Sequence, residues 1–336
     1  MPSPRPTVAV LIPEPMRGRI LDDAAEARLA EVATVVAAPD GAPTAGTLPM
    51  LLADARAAIT GWGTPPLTQE VLAGAPHLEL IAHTAGSIHH LVPAQAIEGG
   101  LRVSHAAAII ADAVAELVLA QTLRYLRRLD EMDARMKAGP EWLEIRRDVP
   151  GSLLGDLTVG IVGTGHVGRT VISRFRAFGS HVLASDPFLT PEAAAALGVR
   201  KVELDELFAT ADVVSLHAPA LPETQGIANA ARLASMKDGA LFVNMARGAL
   251  VVEDDLIAEL RRGRIHAALD VFANEPLPDP SPLRELPNVY LSPHAAGQTV
   301  NTYRRQGRAM VEEVARALSG EPLQYAIPAS ALATMA

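Results

Sequence analysis

The sequence predicts an α/β protein built from two doubly wound parallel sheets, and three observations carry that prediction. Short apolar runs of strand length recur along the chain with helix-sized gaps between them, as expected of parallel strands joined by crossover helices. At 336 residues the chain is long enough for two domains, each with its own core. One stretch, LTVGIVGTGHVGRTVISRFRAFGSHVLASD from Leu157 to Asp186, places a strand, a glycine-rich turn, a helix and a second strand in immediate succession.

The N-terminal elements come first. Thr7 to Ile12 (TVAVLI) reads as a strand, and further apolar runs follow at Val32 to Ala37, Ala57 to Thr60, Leu78 to His83 and Leu101 to Ser104. This unit has no phosphate-binding fingerprint of its own, so it is expected to furnish a substrate wall. Its loop His83-Thr84-Ala85-Gly86-Ser87 follows a strand. Backbone amides around such a glycine can form a small anion-binding concavity, and an ordinary turn fits the same residues equally well.

From Ala111 the stretch ADAVAELVLAQTL is apolar almost all round and predicts a buried helix. Its continuation, RYLRRLDEMDARMKAG, is charged on most faces, so one long helix is expected to leave the core toward a surface or a partner subunit. Trp142, in GPEWLEIRR beyond it, is either an interface anchor or a residue packed on the chain's own surface.

The central stretch has a mechanical reading. Val159 to Val162 is a strand, Val167 to Phe178 a helix and His181 to Ser185 a second strand. Gly163 permits the tight strand-to-helix turn, Gly165 lets a pyrophosphate approach the backbone, and Gly168 lets the helix pack closely on its strand. The free amides at the helix start then face a dianion. Asp186, at the tip of the second strand, suits a ribose 2′-hydroxyl and repels a 2′-phosphate, so the pattern predicts a dinucleotide site that prefers NAD to NADP.

The alternation continues. Leu204 to Thr210 reads as a helix and Val213 to His217 as a strand ending in the loop Ala218 to Thr224. Helix Ala230 to Met236 leads to strand Ala240 to Asn244 and Met245-Ala246-Arg247-Gly248. Helix Glu253 to Arg262 leads to strand Ile265 to Leu269 and Asp270, and Asn288 to Leu291 leads to Ser292-Pro293-His294. In open α/β sheets ligands lie beyond the carboxyl ends of the strands. Arg247, Asp270, Glu275 and His294 all fall within a few residues of such ends.

Their chemistry suits one reaction. Arg247 offers a planar fork of donors for a carboxylate and a neighbouring carbonyl. His294 can pass a proton near neutrality, and Glu275 can hold its imidazolium and fix its tautomer. Beside a nicotinamide these groups would interconvert a 2-hydroxy acid and a 2-oxo acid. Taken singly, Arg247 reads as a surface ion-pair residue, Glu275 as a solvated loop acid and His294 as a structural histidine. Their joint occurrence on strand-end loops favours the catalytic reading.

Composition excludes several classes. The formal charge of −9, with no basic stripe, argues against nucleic acid and means that an anionic substrate must be captured by local donors. There is no cysteine, hence no disulfide, thiolate metal site or cysteine nucleophile. No run is apolar enough to span a membrane, and MPSPRP lacks the apolar core of a signal peptide, so a soluble cytoplasmic protein is expected. His89, His90 and His105 match no zinc spacing; no metal is expected, and they are read as pocket or surface residues.

The chain resembles the NAD-dependent D-isomer-specific 2-hydroxyacid dehydrogenases from about Leu78 to Pro322. The resemblance rests on LLGDLTVGIVGTGHVGR, HAPALPET, NMARGALV, ALDVFANEP and SPHAAG, in that order. It implies a Rossmann NAD-binding domain over residues 107–301 with a dimerisation arm near Arg124 to Lys137. It also implies a smaller, discontinuous, flavodoxin-like substrate domain over 1–106 and 302–336, with the active site in the cleft between them and a homodimer as the assembly. Arg247, Glu275 and His294 would be the catalytic set, His294 being the acid/base. Cofactor contacts would come from Gly163, Gly165, His166, Val167, Gly168, Asp186, Pro187, His217, Pro219, Thr224, Met245, Ala246, Arg247, Asp270, His294, Ala295, Ala296 and Gly297. Substrate contacts would come from Thr84, Ala85, Gly86, Ser87 and Arg247.

Two segments depart from the family pattern. TAGSIHHL stands where relatives often carry a GVGxDNID-like loop, and SHAAAII replaces a TNTPG-like turn, with Ala107 at the usual proline position. The side chain of the substrate therefore stays open, with glyoxylate, hydroxypyruvate and bulkier 2-oxo acids all compatible. An NAD-sensing dimeric interaction protein with little turnover is the alternative from another class.

Overall fold

The computed structural model describes residues 5–334. The chain divides into two compact units, Met1–Ile110 with Gln298–Ala336, and Ala111–Gly297.

The first unit holds five strands, β1 (Thr7–Val10), β2 (Thr34–Ala37), β3 (Ala55–Thr60), β4 (Leu80–His83) and β5 (Arg102–His105). They run parallel in the order β2-β1-β3-β4-β5, a doubly wound order. Alternate residues feed two cores. Val8, Val10, Ile59, Leu80 and Ala82 pack against Met310, Val311 and Val314 of the helix Val300–Ser319. Ala9, Leu11, Ala58, Ile81 and Val103 pack with Leu48, Leu52 and Ile97 on the other face. Burial on both faces is why these strands read as continuous apolar runs.

The limits of all five strands differ from the sequence reading by one or two residues, and two cases show why. Val32 closes the helix Asp23–Val32, whose start is capped by Asp22 accepting from the Ala25 N–H, so β2 begins only at Thr34. β1 ends at Val10, although the Leu11 N–H still donates to Ile59 at 2.8 Å.

The C-terminal tail covers the free edge of β5. Ile327 N–H donates to Val103 O at 2.8 Å, His105 N–H donates to Tyr325 O at 3.2 Å, and Ser104 forms an antiparallel bridge with Ala326. Buried Glu313 gathers this junction, accepting from Ser104 Oγ at 2.5 Å and from the backbone N–H groups of Gln324 and Tyr325.

The second unit holds β6 (Thr158–Val162), β7 (His181–Ser185), β8 (Arg200–Lys201), β9 (Val213–Leu216), β10 (Leu241–Asn244), β11 (His266–Leu269) and β12 (Val289–Leu291). The parallel order is β12-β11-β10-β9-β6-β7-β8, so the winding reverses between β6 and β9, the place where such sheets bind ligands. Leu207, Phe208, Leu233, Leu256 and Leu260 from its helices close over Phe242, Leu216 and Leu269. The helix Pro191–Leu197 and the two-residue edge strand β8 add to the elements expected from sequence.

The expected single long helix is two. One runs Ala107–Leu126, the next Leu129–Ala138, and Arg128 between them has a left-handed backbone at φ 49°. Tertiary bonds impose the break: Arg128 Nη1 donates to Asp148 O and Ser152 N–H donates to Leu126 O. Arg124 and Tyr125 do not project. Arg124 lies 4.4 Å from the centre of the Tyr290 ring, and Tyr125 Oη donates to Gly239 O at 2.6 Å. The segment from Leu129 onward presents exposed large apolar side chains, with Trp142 63 % and Leu143 72 % exposed. Among the described residues no helix is long and apolar enough to cross a membrane.

Candidate active site

The glycine turn follows β6. Gly163 has φ +92°, and a Cβ there would meet Ala218 N at 2.7 Å; a Cβ at Gly168 would meet Gly163 O at 2.0 Å. Both positions exclude a side chain because backbone packs on backbone. Gly165 is different: nothing lies within 4 Å of where its Cβ would be. It caps the helix His166–Ala177 without any side-chain cap, and the positive end of that helix suits an anion. This open cradle fits a dinucleotide pyrophosphate.

Asp186 follows β7. Its Oδ2 accepts from both the N–H and the hydroxyl of Thr164 at 2.7 Å, and its Oδ1 accepts from Phe188 N–H at 2.8 Å, while Pro187 beside it is exposed. The carboxylate thus ties the glycine turn to the tip of the next strand. Three of its roughly four acceptor positions are engaged, which leaves capacity for a hydroxyl.

Past β9, His217 is buried. Its Nε2 pairs with Ser215 Oγ at 2.8 Å, its Nδ1 has no partner among the described residues, and burial pushes its pKa down to about 3. Pro219 and Thr224 close the following loop, Thr224 Oγ1 donating to Pro219 O at 2.5 Å.

The chemistry-bearing loops follow β10, β11 and β12. His294 Nδ1 lies 2.6 Å from Glu275 Oε2, and Glu275 Oε1 accepts from Phe272 N–H at 3.1 Å. His294 has φ 51°, a left-handed conformation that a β-carbon makes costly. Asp270, fully buried at the end of β11, offsets that cost. Its carbonyl accepts from His294 N–H at 2.7 Å, and its carboxylate accepts from Ser292 Oγ and from the N–H groups of Ala295 and Ala296, which precede Gly297.

Arg247 is half-buried after β10, with Met245 and Ala246 before it, and its Nη1 donates to Ala246 O at 2.7 Å. Burial pulls its guanidinium below the ordinary arginine value, and the Glu275 carboxylate works the other way. Arginine stays charged under any such shift. A cavity of about 680 Å³ opens at this end of the sheet, lined by Phe272, Glu275, Leu277, Arg284, Leu291 and His294 among others.

The structure therefore brings Glu275, His294 and Asp270 together, and Thr164 with Asp186. Thr84 to Ser87 lie in the first unit, after β4. Three contributors carried no role in the sequence reading, although Asn244 and Gly248 stand inside NMARGALV. Asn244 holds the Arg247 loop by donating to Arg247 O at 2.9 Å and accepting from Ala246 N–H at 3.1 Å. A Cβ on Gly248 would meet Phe272 O at 1.8 Å, so this glycine lets the arginine loop lie on the loop that carries Glu275. Arg284 enters the cavity wall, its guanidinium bound to the carbonyls of Leu277 and Pro278. Among the described residues no group of three or more histidine, aspartate or glutamate side chains is placed to hold a metal ion.

Comparison with known proteins identifies the family. Residues 119–296 match the NAD-binding domain of the D-isomer specific 2-hydroxyacid dehydrogenases. The chain is 40% identical over 253 residues to a D-3-phosphoglycerate dehydrogenase of Mycobacterium leprae, covering 75% of this chain and 47% of that protein. It is 34% identical over 255 residues to a hydroxypyruvate reductase of Thermotoga maritima, covering 75% and 81%. The chain thus spans about half the length of the phosphoglycerate dehydrogenases it matches. Among solved structures it is similar to the TT0316 protein of Thermus thermophilus, with 32% identity, TM-score 0.76 and coverage of 96% and 100%. It is also similar to a phosphoglycerate oxidoreductase of Rhizobium etli, with 27% identity, TM-score 0.80 and coverage of 96% and 98%. With its glycine turn, its second-strand aspartate and a matched NAD-binding domain, the chain belongs to the D-isomer specific 2-hydroxyacid dehydrogenase family.

Proposed function

We propose that the protein is an NAD-dependent 2-hydroxyacid dehydrogenase that interconverts a small 2-hydroxy acid and its 2-oxo acid. The observation that carries this reading is the His294 Nδ1 to Glu275 Oε2 contact of 2.6 Å, built on strand-end loops of the sheet that bears the glycine turn. Bound at that turn, NAD would supply the hydride acceptor or donor. Gly163, Gly165, Gly168, the amides of His166 and Val167, and Asp186 would hold it, and Asp186 would favour NAD over NADP.

The remaining steps belong to the protein. In the reducing direction Arg247 binds the carboxylate and polarises the carbonyl, and the imidazolium of His294 gives its Nε2 proton to the oxygen formed at C2. Glu275 holds Nδ1–H, which fixes the ring and supports its charge before transfer. In the oxidising direction the neutral ring takes the proton back. The amides of Gly86 and Ser87 would be offered to a substrate oxygen, whereas that of Thr84 is taken by Thr60 O at 2.8 Å. Support for a small substrate comes from the relatives, since glycerate and pyruvate derivatives are 2-hydroxy and 2-oxo acids.

The test is NADH oxidation over a panel of glyoxylate, hydroxypyruvate and larger aliphatic and aromatic 2-oxo acids, with NADPH as the comparison. Turnover with NADH, ranked by side-chain size, is expected. NADH binding without turnover across the panel would contradict the enzyme and favour a sensor.

For the assembly we propose a homodimer in which a second copy covers Leu129, Met136, Trp142 and Leu143, all exposed in the single chain. Light scattering at micromolar concentration should give twice the chain mass, and a Trp142→Glu variant should give the mass of one chain.

A further inference from the structure

We propose that His105 is a positioning residue for the substrate carboxylate, holding the Gly86 carbonyl from behind so that the Ser87 N–H faces the ligand. The inference rests on the dehydrogenase reading above and adds to it a residue in the SHAAAII segment, where the chain departs from the family pattern.

β4 and β5 end side by side, with His83 opposite His105 in register. Two groups at the end of β5 reach the loop that follows β4. Ala106 N–H donates to Ala85 O at 3.0 Å, and His105 Nδ1 lies 3.0 Å from Gly86 O. A carbonyl oxygen only accepts, so Nδ1 is the nitrogen that carries the proton. In a trans peptide the N–H points away from the C=O it is joined to. Pinning the Ala85 and Gly86 carbonyls from the end of β5 therefore turns the N–H groups of Gly86 and Ser87 the other way. Both residues are half-buried, and neither N–H donates to an acceptor among the described residues. Two successive N–H groups so directed form an anion-binding nest, and the chemical class they take is a carboxylate.

The pin is needed because glycine makes the neighbouring peptide easy to rotate. Released from His105, the Gly86 to Ser87 peptide can turn its oxygen toward the anion instead of its N–H. The ring behind the loop is kept from adding a charge of its own. His83 is buried, its Nδ1 is 2.9 Å from Thr60 Oγ1, and burial with the adjacent His105 pushes its pKa down to about 4. His105 is only 8 % exposed, so its ring has little freedom to leave the carbonyl.

The experiment compares wild type, His105→Phe and His105→Asn in the 336-residue chain. Phe fills the space without a donor, whereas the Asn amide nitrogen stands in the place of Nδ1. Oxamate, a non-reducible carboxylate analogue of a 2-oxo acid, is titrated by calorimetry in the presence of NADH, and steady-state rates are measured with glyoxylate. The Phe variant should weaken oxamate binding and raise KM for glyoxylate by ~10-fold, the scale of one hydrogen bond to a charged group, with kcat and the NADH affinity held within about twofold. The Asn variant should recover most of the loss, and equal melting temperatures would establish that all three fold. Wild-type oxamate affinity in the Phe variant, or no recovery with Asn, overturns the role of His105 and leaves the dehydrogenase reading standing. A wild type that neither binds oxamate nor reduces any 2-oxo acid overturns both.

Discussion

His294 and Glu275 meet at 2.6 Å although they lie 19 residues apart on different strand-end loops, and the carboxylate faces Nδ1, not Nε2. In the proposed mechanism that polarity leaves the exchangeable proton to Nε2 and gives the acid a holding role. Glu275→Gln keeps the shape and removes the charge, so kcat should fall by ~10²-fold, toward the low end of what a general acid supplies. NADH affinity, measured by fluorescence titration, should stay within twofold. An unchanged kcat would detach Glu275 from the proton transfer.

Asp270 acts on the same histidine from below. Its carboxylate satisfies Ser292, Ala295 and Ala296, and the turn they form carries the left-handed His294. In Asp270→Asn one of these donors faces an NH₂ group. Urea unfolding should show a loss of about 1–3 kcal/mol, and turnover should fall with it. Full stability and full activity would mean that the turn holds its shape without the charge.

Gly248 tests the seating of Arg247. A methyl group there meets the Phe272 carbonyl far inside contact distance, and neither partner is the flexible end of a side chain. Gly248→Ala should cost about 1–3 kcal/mol of stability, the usual scale of overpacking, and should raise KM for the 2-oxo acid as the arginine loop lifts. A variant with wild-type stability and KM would show that the two loops shift apart freely.

Two buried histidines should make the fold sensitive to acid. The folded pKa values of His83 and His217 are pushed down to about 4 and about 3, below the value of about 6.5 expected when unfolded. Below about pH 6.5 the unfolded chain binds protons that the folded chain refuses, so stability falls as pH drops. The loss from His83 is complete near pH 4 and that from His217 near pH 3. The His83 shift corresponds to about 3 kcal/mol. Urea unfolding at pH 7, 5.5 and 4.5 should show this decline, and His217→Gln, which keeps a group able to bond Ser215, should flatten it. A decline of the same steepness in that variant would place the acid sensitivity elsewhere.

Much of the fold was legible because it is written in local patterns. Runs apolar on both faces announced parallel strands, and the spacing of Gly163, Gly165 and Gly168 announced the strand-to-helix turn. What stayed hidden depends on contacts distant in sequence. Arg128 breaks a stretch whose charges keep helical spacing, and the bonds that hold the break, Arg128 to Asp148 and Ser152 to Leu126, span 20 and 26 positions. Asn244 and Gly248 stand inside NMARGALV without a role of their own in the sequence reading; their roles arise only once β10 and β11 lie side by side. The sequence did not disclose that both carboxylate oxygens of Asp270 engage the His294 turn. His105 reads as a pocket or surface residue, yet it is buried with its ring on a loop carbonyl, because the end of β5 could not be placed against the end of β4 without the register.

The most direct measurement is the turnover of His294→Ala with NADH and whichever 2-oxo acid the wild type reduces best. The side chain is half-exposed, so its loss should leave the fold intact. The predicted result is a fall in kcat of ~10²–10⁴-fold, the contribution of a general acid, across every accepted substrate. Wild-type turnover in that variant would contradict the account.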